Sequence, residues 1–122
     1  MIVFDTGALI ALERRRQRIV EVWRSATLAK RPVLVPGVVI AEWWRGRTDR
    51  REAILAGITV VPVEASLGRS SGEALAATPG ATAVDAIVMA LAARRNAVVY
   101  TSDVDDLEVL RSYFPGVRVL ST

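Results

Sequence analysis

The 122-residue chain contains no cysteine and no histidine. Without cysteine there is no disulfide scaffold, no thiolate metal site and no Cys nucleophile. Without histidine there are no imidazole ligands, no Ser-His-Asp triad and no His general base. Lysine is nearly missing too: Lys30 stands alone, and the other fifteen cations are arginines. Long apolar runs are also lacking, and none approaches the ~20 residues that a membrane-spanning helix needs. Residues 1–12 begin apolar but are interrupted by Asp5 and have no basic flank, so they are not read as a signal peptide. A cytoplasmic protein with no membrane association is the expectation. Any catalysis has to run on Asp, Glu, Ser, Thr, Tyr, Lys or Arg.

What is present suits one soluble domain spanning residues 1–122: 52% of the residues are apolar and 24% charged. Sixteen cations face thirteen acids, for a net charge of +3. If four acids share one site, sixteen cations face nine elsewhere, and the remaining surface favours a polyanion such as nucleic acid. The competing explanation is that an arginine-rich composition reflects genome composition alone.

Short β-branched runs alternate with longer amphipathic stretches. MIVF (1–4), PVLVP (32–36), ITVVPV (58–63), AVVYTS (97–102) and GVRVLS (116–121) read as strands. Helices are expected over 6–16, 18–30, 37–46, 49–57 (Asp49 as N-cap), 65–77, 82–95 and 103–114. This alternation predicts an α/β sandwich with a mostly parallel sheet. Such sheets bind ligands beyond the carboxyl ends of their strands, where the strand order reverses.

Four acids deserve weighing against that rule. Asp5 ends the first strand, in IVFDTG, and equally suits a helix N-cap. Asp85 lies in AVDAIVMALAARR among apolar neighbours, where a carboxylate is costly unless compensated. Its structural alternative is a capping-box pair with Thr82. Asp103 follows the fourth strand and opens a helix, beside Asp105 and Asp106, and capping is again the alternative. Glu42 sits within a helix, past its first turn, where capping does not apply; an ion pair with Arg45 is its alternative. In a parallel sheet these four positions converge on one rim. Four carboxylates there would repel and raise one another's pKa. A hard divalent cation relieves that repulsion, and an oxygen-only ligand set selects Mg²⁺ or Mn²⁺.

At these residues the sequence resembles the PIN-domain ribonucleases, and among them the VapC-type toxins of bacterial toxin–antitoxin pairs. The segments that carry the likeness are IVFDTGALIALE, VVIAEWWRG, AVDAIVMALAARR and VVYTSDVDDLEVL, in family order along essentially the whole chain. The resemblance implies a three-layer sandwich with a five-stranded sheet flanked by helices. It implies a Mg²⁺-dependent endoribonuclease leaving 5′-phosphate and 3′-hydroxyl ends. Asp5, Glu42, Asp85 and Asp103 are its acids, with Asp5, Asp85 and Asp103 as metal ligands. Thr101, Ser102 and Asp106 are supporting neighbours. It further implies a homodimer silenced by a cognate VapB-like antitoxin. Nothing is carried over for residues 64–81.

Arg45, Arg47, Arg50 and Arg51 follow Glu42 closely and are candidates for contacting the RNA backbone. Their alternative is a solvated helix face with pairs to Asp49 and Glu52. Adjacent Trp43 and Trp44 cannot point the same way on a helix, so one is expected in the core. An aspartyl phosphatase wants a second acid where Gly7 stands. A receiver domain wants a lysine near its last strands, and Lys30 lies elsewhere. A catalytically silent RNA- or protein-binding module is the remaining alternative.

Overall fold

A computed structural model describes residues 1–122. The β-branched runs become β1 (Ile2–Phe4), β2 (Val33–Pro36), β3 (Thr59–Val61), β4 (Val98–Thr101) and β5 (Arg118–Ser121). They pair in the order β3-β2-β1-β4-β5, every pair parallel. The central strands are apolar along nearly their whole length because both faces of such a sheet are covered. All four residues of β2 are buried, as are Val3 and Phe4 of β1.

Between the strands lie α1 (Thr6–Glu13), α2 (Gln17–Leu28), α3 (Gly37–Trp43), α4 (Asp49–Ala56), α5 (Ala65–Ala77), α6 (Ala83–Arg95) and α7 (Val104–Glu108). The chain steps from β1 to β2 to β3 in one direction, then returns past β1 to β4. Right-handed crossovers therefore put the two sets of helices on opposite faces, which makes three layers. α1 gathers α2, α3 and α4 around it on one face, while α6 lies across β1, β2 and β4 on the other. α6 is covered on its far side by α5, and Arg94 near its end grips Glu64 at the start of α5 at 2.8 Å, so the two helices run antiparallel. Burial on both sides explains why α6 is apolar nearly all round, with Ala86 and Val88–Ala92 buried.

Several helices end sooner than their sequence pattern suggests. α1 stops at Glu13 because Arg15 turns left-handed (φ 57°) and the Arg16 amide returns to the Ala11 carbonyl at 3.0 Å, a Schellman-type close. α3 stops at Trp43, and the Arg45 guanidinium donates to the Ala41 and Trp44 carbonyls that the helix end exposes. α4 is capped by Thr48, whose hydroxyl accepts from the Arg51 amide at 3.1 Å; Asp49 is its first helical residue. The expected 103–114 helix ends at Glu108 and tightens into turns, with Leu110, Arg111 and Tyr113 each bonding three residues back.

Glu13 knits three helices together. Its carboxylate accepts from Trp43 Nε1 at 3.0 Å and from Arg51 at 2.9 and 3.2 Å, and these hydrogen bonds to Arg51 lead in holding its pKa below the usual range. Arg50 meanwhile donates to the Leu12 carbonyl at 2.7 Å. α4 is thus pinned to α1 by charge-assisted bonds. A double-mutant cycle over Glu13→Ala and Arg51→Ala, followed by urea unfolding, is expected to give a coupling of ~1–2 kcal/mol. Strict additivity would show that the pair contributes nothing to α1–α4 cohesion.

Candidate active site

The strand order reverses at β1, so a crevice opens beyond the carboxyl ends of β1 and β4. Asp5 immediately follows β1, and Asp103 comes two residues after β4. Asp85 reaches the same rim from the first turn of α6, and Glu42 from the last turn of α3.

Asp5 is only 8% exposed. Its Oδ1 accepts from the Ala8 amide at 2.8 Å, so it also caps α1. Burial drives its pKa up to about 6; the Thr101 hydroxyl and the Ala8 amide oppose the rise, and the charges of Asp85 and Asp103 add to it. Asp85 is half-buried and is likewise raised, by burial first and also by Glu42 and Asp103, against a lowering contribution from the Thr82 hydroxyl. Asp106 is raised chiefly by its hydrogen bond with Asp103, then by the charge of Asp103. The four acids and Asp106 therefore sense one another electrostatically. None of the four has a cation within 4 Å; the chain's ion pairs take Glu13, Asp49, Glu64 and Glu108 instead.

Capping and convergence coexist here. Asp103 caps α7 through a long 3.4 Å bond from the Asp106 amide, and Thr82 accepts from the Asp85 amide at 3.2 Å. Glu42 forms no pair with Arg45; its Oε1 accepts from the Thr6 hydroxyl at 2.6 Å. Thr6 was not among the residues singled out by sequence, where its adjacency to Asp5 was the only signal. Thr101 is buried and faces Asp5, and its Oγ1 also accepts from the Asp103 amide at 3.0 Å.

Of the two candidate hydroxyls Thr101 is the one facing an acid, and two of the four candidate arginines are engaged elsewhere. Ser102 makes no bond to a carboxylate: its hydroxyl donates to the Gly7 carbonyl at 3.1 Å and pairs with the Thr122 hydroxyl at 2.9 Å. Glycine at position 7 permits this approach, since a Cβ there would lie 3.0 Å from the Ser102 Cβ. Arg50 and Arg51 are folded onto α1, so neither serves as a free phosphate contact; Arg51 pairs with Glu13, not Glu52. Arg45 and Arg47 remain exposed, Arg47 in a loose 3.4 Å pair with Asp49.

The family model described as the PIN domain matches residues 2–111. The chain belongs to the PIN domain family. Solved structures agree with the fold of this PIN domain. VapBC2 from Rickettsia felis bound to a promoter DNA fragment superposes with a TM-score of 0.75 at 14% identity, covering 100% of this chain and 99% of that one. DNA-bound VapBC from Salmonella typhimurium gives 0.74 at 18% identity, over 98% and 96%. FitAcB from Neisseria gonorrhoeae gives 0.68 at 20%, again over 98% and 96%. A sequence comparison with curated proteins finds no match.

The donor set of this PIN domain fits a hard divalent cation: it is all oxygen, its charge is uncompensated, and Asp5 is anchored by the Ala8 amide. As they stand, no three of the acids are gathered around one point. Asp5 and Asp85 are the better anchored. Glu42 and Asp103 are exposed side chains: Glu42 is held at the rim by the Thr6 hydroxyl, and Asp103 turns inward at the cost of a rotamer change and its long bond from the Asp106 amide.

The raised pKa of Asp5 has a definite consequence for stability. The folded state favours the protonated acid, so the contribution of Asp5 to stability is fully present below about pH 4 and is lost as pH rises through about 6. Asp5→Asn keeps the cap and removes the charge. In EDTA at pH 8 it is expected to unfold in urea at higher denaturant than wild type, by up to ~3 kcal/mol, with the gap closing near pH 4. An advantage that does not depend on pH would rule out a strained Asp5 carboxylate.

Proposed function

We propose that this PIN domain is a Mg²⁺-dependent endoribonuclease, able to use Mn²⁺, that hydrolyses RNA phosphodiester bonds as the toxin of a VapBC-type pair. The observation that carries the reading is the placing of Asp5, Asp85, Asp103 and Glu42 along one rim at the sheet's switch point, within electrostatic reach of one another and with no counter-cation. The arginine surplus outside that rim supports a polyanionic substrate. Structural relatives recorded as VapBC and as a toxin–antitoxin complex from Klebsiella pneumoniae support a VapB-like antitoxin as partner. A homodimer and a cytoplasmic setting complete the reading; no helix is long and apolar enough to cross a membrane.

A bound divalent ion supplies Lewis-acid charge at a phosphate oxygen and lowers the pKa of a coordinated water. Asp5, Asp85 and Asp103 are the residues to hold it, with Glu42 acting directly or through water. Thr101 would fix the Asp5 rotamer, and Asp103, with Asp106 beside it, would bind the ion or orient the attacking water. Arg47, exposed and only loosely paired, is the freest of the four arginines to steer the RNA backbone, and exposed Arg45 adds charge beside it while its guanidinium holds the end of α3.

A second reading, a catalytically silent RNA- or protein-binding module, draws on the capping bonds of Asp5 and Asp103 and on the ungathered acids. Incubation with total cellular RNA separates the two. Mg²⁺-dependent cleavage is expected, abolished by EDTA and reduced roughly 100-fold or more in Asp5→Asn and in Asp85→Asn. Binding without cutting, or cutting undiminished in both variants, would favour the silent module or another site.

A further inference from the structure

We infer that Thr6 is a positioning residue that aims Glu42 at the acidic rim; the inference rests on the endoribonuclease reading above. Thr6 is the first residue of α1 and directly follows Asp5. Its hydroxyl donates to Glu42 Oε1 at 2.6 Å, a short bond to a charged acceptor across 36 residues of sequence. It is the hydrogen bond that ties this carboxylate to another side chain: Glu42 has no ion pair, and Arg45 is occupied by the backbone of α3.

The surrounding packing makes the contact one half of a two-point clamp. Thr6 and Glu13 lie seven residues apart on α1, two turns along one stripe. That stripe meets α3, where Thr6 takes Glu42 and Glu13 takes the indole nitrogen of Trp43. Trp43 is buried and fixes the rotation of α3, which turns the neighbouring Glu42 outward. An exposed glutamate there would sample several rotamers, and the Thr6 hydroxyl selects one. Because Thr6 directly follows Asp5, that rotamer keeps the Glu42 carboxylate beside the chain segment that carries the buried rim acid. One turn of chain therefore carries both a rim acid, Asp5, and the donor that orders another.

Thr6→Val removes the donor at nearly constant volume, Thr6→Ser keeps it, and Thr6→Ala is the fallback should valine fold poorly. Two measurements are made on each: affinity for Mn²⁺ alone by calorimetry, and cleavage of total RNA in Mg²⁺. Thr6→Val and Thr6→Ala are expected to weaken Mn²⁺ binding and cleavage by 10- to 100-fold, the usual scale for a residue that orients a ligand. Thr6→Ser is expected to restore both to within a few-fold of wild type. In a Glu42→Ala background, Thr6→Val is expected to add no further loss, since Thr6 acts through Glu42. If the wild type binds Mn²⁺ and cuts while Thr6→Val and Thr6→Ala match it, or if the Thr6 and Glu42 losses multiply independently, the inference is overturned and the nuclease reading stands. If the wild type neither binds Mn²⁺ nor cuts, the nuclease reading fails and takes the inference with it.

Discussion

Negative charge lined along one rim without a counter-charge is the constraint on which this molecule's arrangement depends. Asp5 is almost fully buried, Asp85 is half-buried, and both are pushed toward protonation, first by desolvation and then by neighbouring acids. An isolated chain gains nothing from such an arrangement, because burying like charges opposes folding. The rest of the fold offsets the cost with a continuous apolar core of 27 residues and with donors aimed at the acids: the Ala8 amide and Thr101 at Asp5, Thr6 at Glu42. A stability penalty concentrated at one rim is what is expected where function sets the local chemistry.

The parallel sheet makes the convergence possible. Reversal of strand order at β1 brings residues 5 and 103, nearly a hundred positions apart, to adjacent strand ends. The α5–α6 hairpin returns the chain so that α6 starts at that same rim, with Asp85 in its first turn. On the other face, Glu13 ties Trp43 and Arg51 to α1, which sets the rotation of α3 and with it the direction of Glu42. Each acid thus arrives by a different structural route, and α1 contributes to three of them through its N-terminus, its Thr6 contact and its packing on β4.

Much of this was legible in the residues themselves. Period and punctuation located all five strands and all seven helices, because β-branched runs bounded by Pro, Gly and Asp leave few alternatives. Boundaries were less legible where closure depends on tertiary contact. α3 stops three residues before Gly46 because the exposed carbonyls are met by Arg45, and the 103–114 segment tightens into turns after Glu108. At the rim, the types and approximate locations of the acids were readable, but their partners were not. A hydroxyl bond spanning 36 residues leaves no periodic trace, so Thr6 passed unnoticed. Ser102 was drawn to Gly7 and Thr122, and Arg50 and Arg51 to α1, by contacts that sequence spacing does not encode.

The most direct test of the central claim is to locate a divalent ion on the molecule. Crystals grown with Mn²⁺ and measured at its absorption edge are predicted to show an anomalous peak bonded to carboxylate oxygens of Asp5 and Asp85, at roughly 2.0–2.2 Å, with Asp103 or Glu42 turned toward it. A Mn²⁺-saturated crystal with no peak at that rim, or with its peak on another face, would contradict the account.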